Sequence, residues 1–152
     1  MIEIAGIFIK GNKAYLPVLG KTEVDYFHDT DHLIITDLTI DSITSSLEEI
    51  IKLGNPSIKH PTQAEFQKTT KVQKALKIYS YKKMAQLGVM CCAISWRKNN
   101  IGLAFTARDA KDVRAIDYAH ELPFPVDTPI RTIVEAIFAE IQARAKTERE
   151  GD

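Results

Sequence analysis

The sequence predicts an α+β fold: one domain with a mixed or mainly antiparallel sheet and helices packed against it. Three observations carry this expectation. Short, β-like apolar runs open the chain and return at residues 89–106, runs with helical spacing begin near residues 41 and 129, and no repeat or long linker divides the 152 residues. A chain of this length matches one ordinary domain with one core. Residues 1–152 are therefore read as a single globular domain whose charged end, 146–152, frays.

The opening residues 2–9 are β-like, Gly11-Asn12 supplies a turn, and residues 14–19 make a return strand. Pro17 lacks a backbone donor and favours an edge position for that second strand. A third and a fourth strand fit residues 23–28 and 33–38, separated by the polar Asp29-Thr30-Asp31. From Asp41 the spacing becomes helical: Ile43, Leu47, Ile50 and Ile51 share a face, and Gly54 and Pro56 are stop signals. Asp41 or Ser42 can cap an early start, and Ser45 to Glu48 or Ser46 to Glu49 a later one.

His60-Pro61-Thr62 leads to another helix start, with Thr62 and Glu65 in capping-box spacing. Residues 62–79 read either as one helix or as a helix followed by a short strand at 76–79. Ser80 precedes a short helix through Leu87, closed by Gly88. Residues 89–96 and 101–106 form the strongest hairpin signal, and the nearly continuous apolar character of the first arm predicts a central strand covered on both faces. A further strand fits 113–118, and a Pro-rich connection over 122–129 leads to the last helix. There Ile130, Ile133, Val134, Ile137, Phe138 and Ile141 make an apolar face opposite Arg131, Glu135, Glu140 and Arg144.

Forty-five per cent apolar and 26% charged residues describe an ordered domain rather than a disordered one. Twenty basic residues balance twenty acidic ones, which removes the global attraction of a general polyanion binder. The balance conceals segregation: residues 1–46 carry −4, residues 47–100 carry +7 and residues 101–152 carry −3. Adjacent Cys91 and Cys92 give no disulfide framework and no four-ligand metal site, and their apolar neighbours assign them to packing. No uninterrupted apolar segment approaches the roughly 20 residues that cross a membrane, and residues 1–4 do not resemble a secretory signal. These features read as a soluble protein retained in a reducing cytoplasm.

The densest polar group is Asp25-Tyr26-Phe27-His28-Asp29-Thr30-Asp31-His32. His28 and His32 would align on a helix, but their neighbours favour strand and turn, which weakens a metal or hydrolytic site built from them. His60 and His120 stand in loop-like contexts without a neighbouring nucleophile. Lys68, Lys71, Lys74 and Lys77 recur every three residues before Lys82 and Lys83, and with Tyr79 or Tyr81 they offer a small nucleic-acid-binding or regulatory module as the alternative function. No serine lies in Gly-x-Ser-x-Gly and no Gly-rich phosphate loop is present. The reading is of a protein that is not an enzyme and needs no metal or cofactor.

With the segregated acidic segment, from Glu23 through Asp31, stand Ile94-Ser95-Trp96 in the hairpin and the apolar helix from Ile130. On these features the whole chain resembles the immunity proteins of bacterial contact-dependent growth inhibition and related polymorphic toxin systems. The resemblance implies inhibition of one cognate toxin domain, for instance a nuclease, by a tight protein complex that occludes its active or substrate-binding site. An acidic surface can cover a basic substrate cleft by mimicking phosphate charge. The expected surface comprises Glu23, Asp25, Tyr26, Phe27, Asp29, Asp31, Asp37 and Asp41, with an aromatic ring as its buried anchor.

Overall fold

A computed structural model describes residues 1–151. Its six-stranded sheet has the order β3-β2-β1-β4-β5-β6, and every neighbouring pair is antiparallel. The strands are β1 (Ile4–Lys10), β2 (Lys13–Lys21), β3 (Phe27–Asp37), β4 (Met90–Trp96), β5 (Ile101–Phe105) and β6 (Leu122–Phe124). Helices α1 (Ile40–Leu53), α2 (Gln63–Phe66), α3 (Lys71–Leu76), α4 (Tyr81–Gln86) and α5 (Ile130–Gly151) complete the fold. Asp152, the last residue of the segment expected to fray, lies outside the described residues.

Strand periodicity explains the layers, because successive side chains point to opposite faces. Ile7 and Ile9 of β1, Leu16 and Val18 of β2, Cys92 and Ile94 of β4, and Leu103 of β5 share one face with Ile43, Leu47 and Ile50 of α1 and Ile133, Val134 and Ile137 of α5. Phe8, Tyr15 and Cys91 belong to the other face, covered by Val72 of α3, Met84 of α4 and Val113. β4 is thus central and buried on both sides, as its apolar sequence predicts. The adjacent cysteines enter opposite layers, and burial pushes the Cys91 thiol up to about 12.

Several local expectations need correction. The two strands proposed for residues 23–28 and 33–38 are one strand, β3: Pro17 pairs with Leu33 and Leu19 with Asp29, so Thr30, Asp31 and His32 bulge opposite Val18. Thr30 Oγ1 donates to Val18 O at 2.8 Å and accepts from His32 N, giving the bulge its own hydrogen bonds. Pro17 sits in an inner strand rather than an edge one. The β1–β2 ladder is confined to Phe8↔Tyr15, Ile9↔Ala14 and Lys10↔Lys13, so Pro17 lies beyond its reach.

Thr39, not Asp41 or a later serine, caps α1, its hydroxyl accepting from Ser42 N. Residues 62–79 contain two short helices and no strand, because Thr70 and Gln73 form a second capping box after that of Thr62 and Glu65. Lys77 ends α3 in a left-handed conformation. The strand expected at 113–118 is reduced to one bridge, Thr106↔Ile116, and the ladder passes instead to β6 within the Pro-rich connection. Pro123 is tolerated there because β6 is an edge strand.

Candidate functional site

The β2–β3 connection is a tight polar turn. Buried Thr22 donates its N–H to Tyr26 O at 2.8 Å, and its hydroxyl accepts from Val24 N and Tyr26 N. Asp25 sits at φ 60, a left-handed value that aspartate tolerates better than most residues. The turn presents Val24 and Tyr26 to solvent, 63% and 44% exposed.

Residues 55–61 run as a strap across this end of the sheet. Past the short β1–β2 ladder, the Asn55 carboxamide supplies hydrogen bonds that strand pairing does not: Nδ2 donates to Ile4 O (3.0 Å) and Leu19 O (2.9 Å), and Oδ1 accepts from Glu3 N (2.6 Å) and Ile4 N (3.2 Å). Lys21 N then donates to Pro56 O, and Ile58 N to Lys21 O. Ile58 lies over Gly20, where a Cβ would come within 2.7 Å of its side chain. His60 N donates to Glu23 Oε2 at 3.0 Å, tying strap to turn, and the Glu23 carboxyl is held below its usual range first by its own backbone N–H and then by that of His60.

Strap and hairpin meet through four rings. Tyr26 lies 5.6 Å from His60 and 5.5 Å from Phe66, edge-on to both. His28 lies 5.3 Å from Phe66 and stacks at 6.2 Å on Tyr26, while His60 and Phe66 are 5.5 Å apart. These are the separations of ring pairs in mutual contact. Phe66 is 42% exposed, so the cluster is packed yet open to solvent.

Beside the rings an open cleft of about 760 Å³ separates β3 from α2 and α3. His28, Asp29, Thr30 and Asp31 line the strand side, and Lys59, Glu65, Lys68, Lys71 and Lys74 line the other. Burial raises the Asp29 pKa, with the charge of His28 opposing it. Glu65 is held low by the Thr62 N–H it accepts in the capping box. The cleft joins the acidic and the lysine-rich segments, which the sequence places some forty residues apart.

The eight residues expected to form one acidic surface do not share one place. Glu23, Asp25 and Tyr26 stand at the turn, with Asp25 3.6 Å from Lys21. Phe27 is half-buried beneath Lys21, whose Nζ lies 5.8 Å from its ring centre. Asp29 and Asp31 face the cleft. Asp37 ends β3, roughly 30 Å from Phe27 at strand rise, and pairs with Lys13 at 2.5 Å. Asp41 opens α1 and pairs with Arg131 at 2.6 Å. The lysine row is likewise divided: Lys68 lies between α2 and α3, Lys71 and Lys74 lie on α3, and Lys82 and Lys83 lie on α4.

Lys59, His60 and Phe66 were not among the expected site residues. The Thr62–Glu65 capping box locates the short helix that carries Phe66, but nothing local signals its approach to Tyr26. His32 is exposed at the bulge, on a strand where a four-residue interval does not align it with His28. His120 Nδ1 meets Asp117 Oδ2 at 2.8 Å, away from these rings, beside the Arg97–Glu121 pair. Among the described residues no group of three His, Cys, Asp or Glu side chains converges to hold a metal ion, and no helix is long and apolar enough to cross a membrane.

No protein-family model and no curated protein matches this chain. Among solved structures, it is similar to a protein of unknown function, NMB0488, from Neisseria meningitidis. The match has a TM-score of 0.52 at 11% identity and covers 88% of this chain and 89% of that one. At this identity the likeness concerns the fold alone.

Proposed function

We propose that this chain is an inhibitory recognition protein of the immunity type, which binds a cognate toxin domain in the cytoplasm and occludes its active or substrate-binding site. The observation that supports this reading best is the exposed cluster of Tyr26, His28, His60 and Phe66, held by Thr22 on one side and the strap on the other. Protein interfaces concentrate binding energy in rigid aromatic groups that become desolvated on docking, surrounded by a polar rim. Here the rim carries charge of both signs.

The acidic residues with a part in this reading are Glu23, Asp25, Asp29 and Asp31, which adjoin the rings or line the cleft. Asp37 and Asp41 are left out, because each has an intramolecular cation and sits at the far end of β3 or on α1. Occlusion of a basic toxin cleft then rests on the turn, with Tyr26 and Phe66 setting residence time and the carboxylates setting encounter rate.

The test is recovery of a stoichiometric toxin domain with the tagged protein, followed by kinetics with both partners purified. Tyr26→Ala with Phe66→Ala should speed dissociation by about a thousandfold, two hot-spot residues at about 2 kcal/mol each. Glu23→Gln with Asp25→Asn should mainly slow association and flatten its salt dependence. Unchanged rates in both variants would exclude this surface. The nucleic-acid alternative draws on the lysine side of the cleft and predicts oligonucleotide affinity that falls steeply with salt. It ranks second because Asp29, Asp31 and Glu65 line the same cleft and would face the incoming phosphates.

A further inference from the structure

Charge pairing divides the arginines from the lysines. Arg97, Arg108, Arg114, Arg131 and Arg144 each pair with a carboxylate, as do Lys13 and Lys21. Lys59, Lys68, Lys71 and Lys74 have no carboxylate within 4 Å among the described residues, a state they share with Lys82 and Lys83. What sets them apart is that all four line one cleft; the charge of Lys59 acts on Glu23 and that of Lys68 on Glu65. They surround one concavity, with Lys71 and Lys74 on neighbouring positions of α3.

The carboxylates of the cleft do not offset them evenly. Glu65 is turned back onto Thr62 N at 3.1 Å. Asp29 is half-buried against β3, where desolvation opposes its charge. Asp31 and Glu65 are both exposed. The α2–α3 side therefore presents four lysines and one carboxylate, Glu65, to a strand side that carries Asp29 and Asp31.

We propose that this cleft takes an acidic peptide segment of the protein partner, whose side-chain carboxylates meet Lys59, Lys68, Lys71 and Lys74. The inference rests on the protein-binding reading and names the chemistry of what that surface receives. A peptide suits both walls, because its backbone N–H groups can donate to Asp29 and Asp31 while its side chains meet the lysines. A DNA phosphodiester backbone suits only one wall: it bears a charge at every unit and has no donor for the carboxylates. The partner is then bipolar, presenting basic groups to Glu23 and Asp25 at the turn and an acidic segment to the cleft. Two opposed charge contacts on either side of one aromatic anchor fix the docking orientation.

The full-length protein is titrated with fluorescein-labelled hexaglutamate by anisotropy at low salt, with a labelled Gly-Ser hexamer and labelled hexathymidylate in parallel. Hexaglutamate should bind and the Gly-Ser peptide should not. Lys71→Gln with Lys74→Gln should weaken hexaglutamate about tenfold, while Lys82→Gln with Lys83→Gln, equally basic positions on α4 outside the cleft, should leave it within twofold. No hexaglutamate binding, or equal loss in the two double variants, overturns the assignment. Hexathymidylate binding as tight as hexaglutamate overturns it in favour of a nucleic acid. Because this titration needs no toxin, its failure is separate from that of the Tyr26 and Phe66 kinetics, which test the protein-binding reading.

Discussion

Asn55→Ala should destabilise the fold by about 3 kcal/mol, although residue 55 belongs to no helix or strand. Its carboxamide makes four hydrogen bonds to the backbone of residues 3, 4 and 19. Glu3 N is exposed and water can replace its partner, whereas the bonds to Ile4 N, Ile4 O and Leu19 O are partly buried. Three such bonds at about 1 kcal/mol each give the total. For a domain of this size the loss corresponds to roughly 6–12 °C in Tm, or about 1.5 M in urea midpoint at a slope near 2 kcal/mol/M. Trp96, the single tryptophan, reports the transition well, because its backbone N–H donates to Glu3 O beside the affected strand end. Asn55→Asp keeps an acceptor for Glu3 and Ile4 but sets a carboxylate against two carbonyl oxygens, so it should be no better than alanine. A loss below about 1 kcal/mol for alanine, with aspartate neutral, would show that water fills the gap between β1 and β2 and that the strap is not held there.

Gly102→Ala should cost about 1–3 kcal/mol, because a Cβ there would overlap the Glu121 carboxylate that Arg97 grips through both nitrogens; the cost should largely vanish in a Glu121→Ala background, and an additive double-mutant cycle by urea denaturation would contradict this. Asp29→Asn should stabilise the protein at pH 7. Burial places the folded-state pKa of Asp29 above its unfolded value, so its ionisation subtracts stability as pH rises through that interval and subtracts none below both values. The gain measured by denaturation should therefore shrink as pH falls and disappear by about pH 3, and a gain independent of pH would refute desolvation as its cause.

Where structure follows from local pattern, the sequence announces it. β1 and the 90–105 hairpin are legible because their alternating or fully apolar runs can bury only as strands, and Thr62, Glu65 and Ser80 mark helix starts through the donors they satisfy. β3 is misread because Asp29-Thr30-Asp31 has the composition of a turn, yet a bulge has the same need for polar residues that bond locally. β6 is hidden because three residues at an edge, one of them proline, leave no periodicity to detect. The acidic group was visible as a list of charges but not as a surface: the pairings of Asp37 with Lys13 and Asp41 with Arg131 join positions 24 and 90 residues apart. His60 and Phe66 reach Tyr26 over comparable distances, and no local rule encodes that approach.

The same defect in the sheet accounts for both the stability of this end and its chemistry. β1 and β2 pair only near their turn, and Pro17 lies just beyond, so the open ends of the two strands need donors and acceptors from elsewhere. Asn55 supplies them, which obliges residues 55–61 to cross the sheet at the base of the β2–β3 turn. That path delivers His60 to Glu23 and Phe66 to Tyr26, and it sets Lys59 and α3 opposite the bulge of β3. A partner closing on these rings would therefore grip two segments whose relative position is fixed first by the partly buried Asn55 carboxamide and then by the Lys21–Pro56, Ile58–Lys21 and His60–Glu23 hydrogen bonds. In Asn55→Ala the rings lose that reference, and partner association should weaken even though residue 55 lines no part of the cleft. Retention of full affinity in a destabilised but folded Asn55→Ala protein would mean that the hairpin alone carries recognition and that the strap contributes stability only.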